Sequence, residues 1–213
     1  MWPPVVSTFT YNLMPSSRLL QQIEFLRAID QLKSVNRKSF IADASRRENS
    51  AEHSWHVAMA ALLLCDVGTQ ELDQFRILRM LLIHDIVEVD AGDTNVYDST
   101  ALVSQIKREA PAAERLFKLL PPDQCEFLHQ LWSEFERGET PEAKFAKSLD
   151  RLMPLLHNYW TKGKRWSEDQ IFYEQVFEIN KPLREVGGQL AELAESILAE
   201  CASKGYLQKS EST

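Results

Sequence analysis

Cysteine is scarce in this chain. Three residues in 213, Cys65, Cys125 and Cys201, are odd in number and far apart. That excludes a disulfide framework and a zinc knuckle, and it points to a reducing cytoplasm. Glycine occurs only seven times, and sustained two-residue alternation is absent apart from a weak stretch at Val5–Thr10. An all-β architecture is thereby disfavoured. The longest apolar run, Val57 to Cys65, is nine residues, less than half of what a bilayer requires. The opening Met1-Trp2-Pro3-Pro4 lacks the basic and apolar regions of a secretory signal. Positive charge is also in deficit: 24 Lys and Arg against 31 Asp and Glu give a net charge of −7. Long nucleic acid, which needs a basic face, is an improbable partner. A small phosphate ester is still allowed, because one metal and a few arginines can invert the local field. Glycine-rich dinucleotide and phosphate loops, H-E-x-x-H, G-x-S-x-G and an EF-hand register are all missing.

What the chain does have is helical spacing. Ser16 or Ser17 can cap a first helix carrying Leu19, Leu20, Ile23, Leu26 and Ile29. Asn49 with Glu52 forms a capping box for a second, running to about Cys65. A third is expected over roughly 72–88, followed by a turn-rich 90–95. Two shorter helices parted near Pro111 come next, then one from Pro121-Pro122 to about Gly138. Thr140-Pro141 opens a helix bearing Phe145, Leu149, Met153 and Leu156, bent at Pro154. A last long helix spans about 179–201, interrupted at Gly187-Gly188. Nothing divides the chain. It reads as one all-α domain with a core over about 17–160, C-terminal helices over about 165–203 and a frayed tail over 205–213.

Inside this pattern lies a polar doublet, His84-Asp85, at the end of the apolar run Met80-Leu81-Leu82-Ile83. An unpaired carboxylate buried there costs several kcal/mol or more, so something must satisfy it. With His53 upstream and Asp150 downstream, two imidazoles and two carboxylates form a four-ligand set for one divalent metal. Without a thiolate the set suits Mn, Fe, Co, Ni or Zn, and three helices of a bundle can bring it together. Adjacent residues of a helix point about 100° apart, so His84 and Asp85 need a special arrangement to share an ion. Taken singly, each histidine reads more readily as a hydrogen-bonded core residue, and it is the whole pattern that favours a metal. His56, His129 and His157 fit less well. His157 lies seven residues beyond Asp150, about 10 Å along a helix.

The flanking residues narrow the reading. The segments Arg47-Glu48-Asn49-Ser50-Ala51-Glu52-His53, His84-Asp85-Ile86-Val87-Glu88-Val89-Asp90-Ala91-Gly92-Asp93, and Trp132–Glu136 with Glu142–Arg151 resemble the motifs of the HD-domain phosphohydrolase superfamily. Within it they resemble the 5′-deoxynucleotidase group. The resemblance implies a single-domain helical bundle. It makes His53, His84, Asp85 and Asp150 the ligands, and Glu88 a catalytic carboxylate facing the bound water or leaving oxygen. It puts Asp93 in the loop rimming the site. The substrate implied is the phosphomonoester of a nucleoside 5′-monophosphate, with a 2′-deoxy sugar. The rival activities are a phosphodiesterase, a nucleoside-triphosphate hydrolase, or a non-catalytic metal-binding regulator. For the phosphate, Arg46 and Arg47 stand just before the capped helix of His53, where a guanidinium fork and the helix dipole would act together. Lys147, one turn before Asp150, and Arg37, in the loop expected after the first helix, are further candidates. Apolar residues on the first and last helices, and the family's habit, lead to a homodimer as the expected assembly.

Overall fold

The computed structural model describes residues 16–210, so the Val5–Thr10 stretch lies outside the described residues. Helices α1 (Ser17–Ile29) and α2 (Ser50–Leu64) begin at the caps the sequence marks. The Ser16 hydroxyl accepts from Leu19 N at 3.2 Å. Asn49 and Glu52 cap one another's backbone amides at 2.9 and 3.2 Å. Between these helices the chain does not form the expected loop. Strands β1 (Asn36–Phe40) and β2 (Arg47–Asn49) pair antiparallel, Asn36 with Asn49 and Phe40 with Arg47, with an irregularity in between. Strands this short cannot show a two-residue rhythm, which is why the pattern concealed them. Arg37 therefore sits on a strand, not in a loop.

Helix α3 (Gln74–Ile83) stops before the doublet, and a short α4 (Glu88–Ala91) resumes after it. The single long helix expected over 72–88 is thus broken. Across the break, Ile86 N bonds to Ile83 O at 3.1 Å and Glu88 N to Asp85 O at 2.9 Å, the tighter i→i+3 pattern. In the opposite direction, Pro111 does not divide its segment. Helix α5 (Ser99–Phe117) passes through it, and Ala112, Ala113, Leu116 and Phe117 are fully buried. Packing of that half offsets the one backbone bond proline forgoes.

Helix α6 (Pro122–Arg137) ends at Gly138, whose φ of 63° is the left-handed C-terminal conformation that favours glycine. Helix α7 (Pro141–Trp160) begins at Thr140 and continues through Pro154. It is the central rod: Phe145, Leu149, Leu152 and Leu155 are buried along it, and it packs on α2, α3 and α6. The remainder comprises α8 (Lys164–Glu168), α9 (Tyr173–Ile179), α10 (Lys181–Val186) and α11 (Gly188–Ser203). The expected interruption at Gly187-Gly188 is the α10–α11 junction, and a further break at Asn180 separates α9 from α10. Beyond Gly205, where fraying is expected, Leu207 is buried and Gln208 bridges to Phe172, so the chain is held as far as Ser210. No helix among the described residues is long and apolar enough to cross a membrane.

One buried acid on α5 carries a stability prediction. Glu109 is 5% exposed, accepts from Gln105 Nε2 at 2.8 Å and faces Glu136. Burial first, then the Glu136 charge, pushes its carboxyl up from an ordinary 4.5 to about 7. A carboxyl raised on folding contributes stability below its unfolded value and loses it as pH rises through the folded one. Glu109→Gln should therefore stabilise the protein at pH 8 by about 1–3 kcal/mol and leave it unchanged at pH 4.5. Urea denaturation at the two pH values checks this, and equal gains at both would refute it.

Candidate metal centre and adjoining cleft

Three helices deliver three buried ligands to one point. His53 stands in the first turn of α2, which the capping box holds in place, and is completely buried. His84 follows the last residue of α3, and Asp150 lies midway along α7. One ligand atom from each lies within 4.8 Å of the other two. His53 Nε2 is 2.8 Å from Asp150 Oδ1, and His84 Nε2 is 3.6 Å from the same oxygen. Asp85 adjoins them, with one oxygen 3.2 Å from His84 Nε2 and the other 4.0 Å from His53 Nε2. His84 keeps helical backbone angles (φ −58°, ψ −41°), and Asp85, outside the converging trio, has its Oδ2 bonded to Arg37 at 2.7 Å.

The donor atoms are prepared. His84 Nδ1 donates to Leu81 O at 2.8 Å, so Nε2 is the nitrogen left to face the cup. That Nε2 is buried and has no hydrogen-bond partner. A buried nitrogen left open among carboxylates is what a cation would fill. Burial works against protonation of His84, yet Asp85 and Asp150 outweigh it and push it up to about 9. Asp150 is held well below the usual carboxylate range: burial opposes this, while Arg151, His53 and His84 enforce it. The negative field that retains protons on imidazole favours a divalent cation in their place. The imidazole and carboxylate donors fit such an ion.

Beside this cup lies a second cluster, centred on Arg37. Its guanidinium reaches Asp85 Oδ2 at 2.7 Å, Asp93 Oδ1 at 3.5 Å, Glu88 Oε1 at 3.8 Å and, through Nε, Glu48 Oε1 at 3.5 Å. Asp93 is turned inward after Gly92, whose φ is 73°. Glu88 accepts from the Ser50 hydroxyl at 2.5 Å. Burial, then the Asp85 charge, pushes its carboxyl well above the ordinary range. Asp93 is raised too, by burial, against the pull of Arg37.

From Arg37 and Asp93 a narrow cleft runs along α7 past Arg151, Leu155 and Asn158. Tyr97, Arg165 and Trp166 line it as well. Of the four cationic candidates read from the sequence, only Arg37 lies here. Arg46 is engaged by Glu52 through two bonds of 2.8 Å. Arg47 reaches Glu168 at 2.9 Å and lies over the Phe40 ring. Lys147 sits 4.7 Å from the Phe135 ring centre and does not line the cleft. The capping box takes Arg46 and the sheet turns Arg47 outward, so proximity to His53 in sequence did not become proximity in space. Sequence reasoning missed Arg151 and Arg165. Arg151 had a signal, as the neighbour of Asp150. Arg165 had none, because α8 reaches the cleft only through tertiary packing. His157 is no ligand; its Nδ1 is 3.6 Å from Glu48 Oε2.

Known proteins resemble this chain along most of its length. A family profile described as HD domain matches residues 29–190. The 5′-deoxynucleotidase HDDC2 of Homo sapiens is 33% identical over 152 residues, covering 71% of this chain and 72% of its own. Its counterpart in Xenopus laevis is 32% identical over 157 residues, covering 72% and 77%. A crystal structure from Magnetospirillum magnetotacticum, named a "predicted metal-dependent phosphohydrolase", superposes with a TM-score of 0.86 at 44% identity, covering 92% of this chain and 100% of that one.

Proposed function

The chain belongs to the HD-domain family, and on that premise we propose that it is a metal-dependent phosphohydrolase acting on nucleoside 5′-monophosphates, with a 2′-deoxy sugar preferred. The observation that carries this reading is the unpartnered His84 Nε2 inside a buried His-His-Asp cup that opens beside an arginine-lined cleft. The names of the similar deoxynucleotidases support the substrate class.

His53, His84, Asp85 and Asp150 would hold one divalent ion, and with no thiolate among them Mn, Co, Fe, Ni or Zn is the proposed class. Such an ion supplies a Lewis acid and an acidified water. The protein does the rest. Water adds to phosphorus, the bond to the 5′-oxygen breaks, and the products are inorganic phosphate and the nucleoside. Arg37 lies where its fork can take phosphate oxygens and offset their growing charge, with Arg151 next to it in the cleft. Glu88, steadied by Ser50, and Asp93 can orient the water and return its proton to the departing 5′-oxygen. Tyr97 and Trp166 form the apolar wall at the far end of the cleft, with Arg165 lying over the Tyr97 ring.

The test is phosphate release by protein loaded in turn with each metal, across ribo- and deoxynucleoside monophosphates, triphosphates and cyclic nucleotides. Deoxynucleoside monophosphates should be the best substrates. Turnover of cyclic nucleotides or triphosphates alone, or no turnover with any metal, would reject the assignment. We also propose a homodimer in the cytoplasm. Leu19, Leu20, Ile23 and Leu26 are exposed along one helix, α1, whereas α11 exposes only Leu193 among its large apolar residues. The first helix therefore supports a dimer and the last does not. A monomeric mass by light scattering would reject it.

A further inference from the structure

Four of the buried polar atoms that lack a hydrogen-bond partner converge on one residue: Glu48 Oε1, His53 Nδ1, Arg37 Nε and His157 Nδ1. Glu48 is 1% exposed, on β2, and nothing assigned above uses it. Its Oε1 stands 3.5 Å from both His53 Nδ1 and Arg37 Nε, and its Oε2 stands 3.6 Å from His157 Nδ1. Buried polar atoms in folded proteins are nearly always paired, so a group of four facing one another needs a reason.

We propose that Glu48 is the positioning residue shared by the metal centre and the phosphate grip, one carboxylate oxygen orienting the ligand His53 and the guanidinium of Arg37 together. The inference rests on the metal site and the role of Arg37 proposed above. Its logic is directional. A carboxylate facing His53 Nδ1 holds the proton on that nitrogen and leaves Nε2, 2.8 Å from Asp150 Oδ1, as the nitrogen that can exchange its proton for a cation in the cup. The same oxygen anchors Arg37 by its Nε while the other end of the fork touches Asp85 at 2.7 Å. When Asp85 turns to a cation, Arg37 is still tethered and its outer nitrogens are free for phosphate. His157, on α7, closes the far side, its Nδ1 3.6 Å from Oε2. The charge state agrees: burial pushes the Glu48 carboxyl up, but His157, His53 and Arg37 hold it well below the usual range, so it stays ionised.

The test uses the full chain and two kinds of measurement. In the wild-type protein, nitrogen-15 NMR of labelled histidine should find His53 protonated at Nδ1, with and without Mn-free divalent metal such as Zn. A proton on Nε2 of metal-free His53 with Nδ1 bare overturns the proposal, and no variant has to fold for that result. In Glu48→Gln, one oxygen becomes an amide N–H that opposes the donors it faces. Zn affinity by equilibrium dialysis should fall about 10–100-fold, and KM for any hydrolysed monophosphate should rise as Arg37 loosens. Glu48→Asp should recover part of both. A purely structural ion pair would lower Tm and leave Zn affinity and the His53 proton unchanged, and that outcome also overturns the proposal. Zn binding weakened in Glu48→Gln, together with no phosphate release by the wild type, would remove the proposed hydrolase and leave the positioning role standing.

Discussion

His84→Ala is expected to eliminate metal-supported phosphate release, by about 10³-fold or more, while the protein stays folded. A bound cation lends several kcal/mol to such a reaction, and each 1.4 kcal/mol is about tenfold in rate. His84 offers the cup its one buried nitrogen without a partner, and no neighbouring histidine can replace it. His56 is half-buried and stacks with Trp55, and His129 packs edge-on against Phe117. The structural cost is smaller. Alanine removes a ring that touches Phe135 and a bond to Leu81 O, a loss of about 1–3 kcal/mol by the usual cost of large-to-small changes. Elemental analysis and phosphate release on the same preparation check the result. Activity within tenfold of wild type, with metal still bound, would remove His84 from the site.

Arg37→Met is expected to show the second large effect, in stability. The guanidinium is the cation shared by Asp85, Asp93, Glu88 and Glu48, all of them nearly enclosed. Methionine keeps much of the volume and none of the charge. Removing one partner from a buried ion pair typically costs about 3–5 kcal/mol, because the other charge is left stranded. The metal-free variant should lose stability on that scale, and a saturating divalent metal, which takes up part of the negative charge, should restore more to the variant than it adds to the wild type. Guanidinium denaturation with and without metal measures both. An Arg37→Met protein as stable as wild type without metal would show that the acids here carry protons instead of relying on the arginine.

Much of this was legible before any coordinates. The caps at Ser16, Asn49 and Thr140 act locally, through a side-chain oxygen and an amide three residues on, so the chain reveals them directly. The doublet His84-Asp85, spaced from Glu88 and Asp93, is likewise a local pattern. Burial of polar groups within an apolar run signals a site even where neither partner is yet visible. Pro111 misled in the other direction: a local breaker was overruled by packing of the half of α5 that follows it. The cationic residues misled most. Arg46 and Arg47 precede His53 in sequence, yet a capping-box glutamate and a two-stranded sheet carry them elsewhere.

The amino-acid sequence by itself determined the helical class, the capped starts of α1, α2 and α7 and the identity of the residues gathered at the centre, because propensity, capping and ligand chemistry depend on residue type and short spacing. Only the tertiary structure decided that α3 would break at His84, that Arg37 and not Arg47 would face the acids, and that Glu48, Arg151 and Arg165 would border the same space. Those outcomes depend on how β1, α7 and α8 pack together, and burial and charge pairing between residues distant in the chain exist only once that packing is complete.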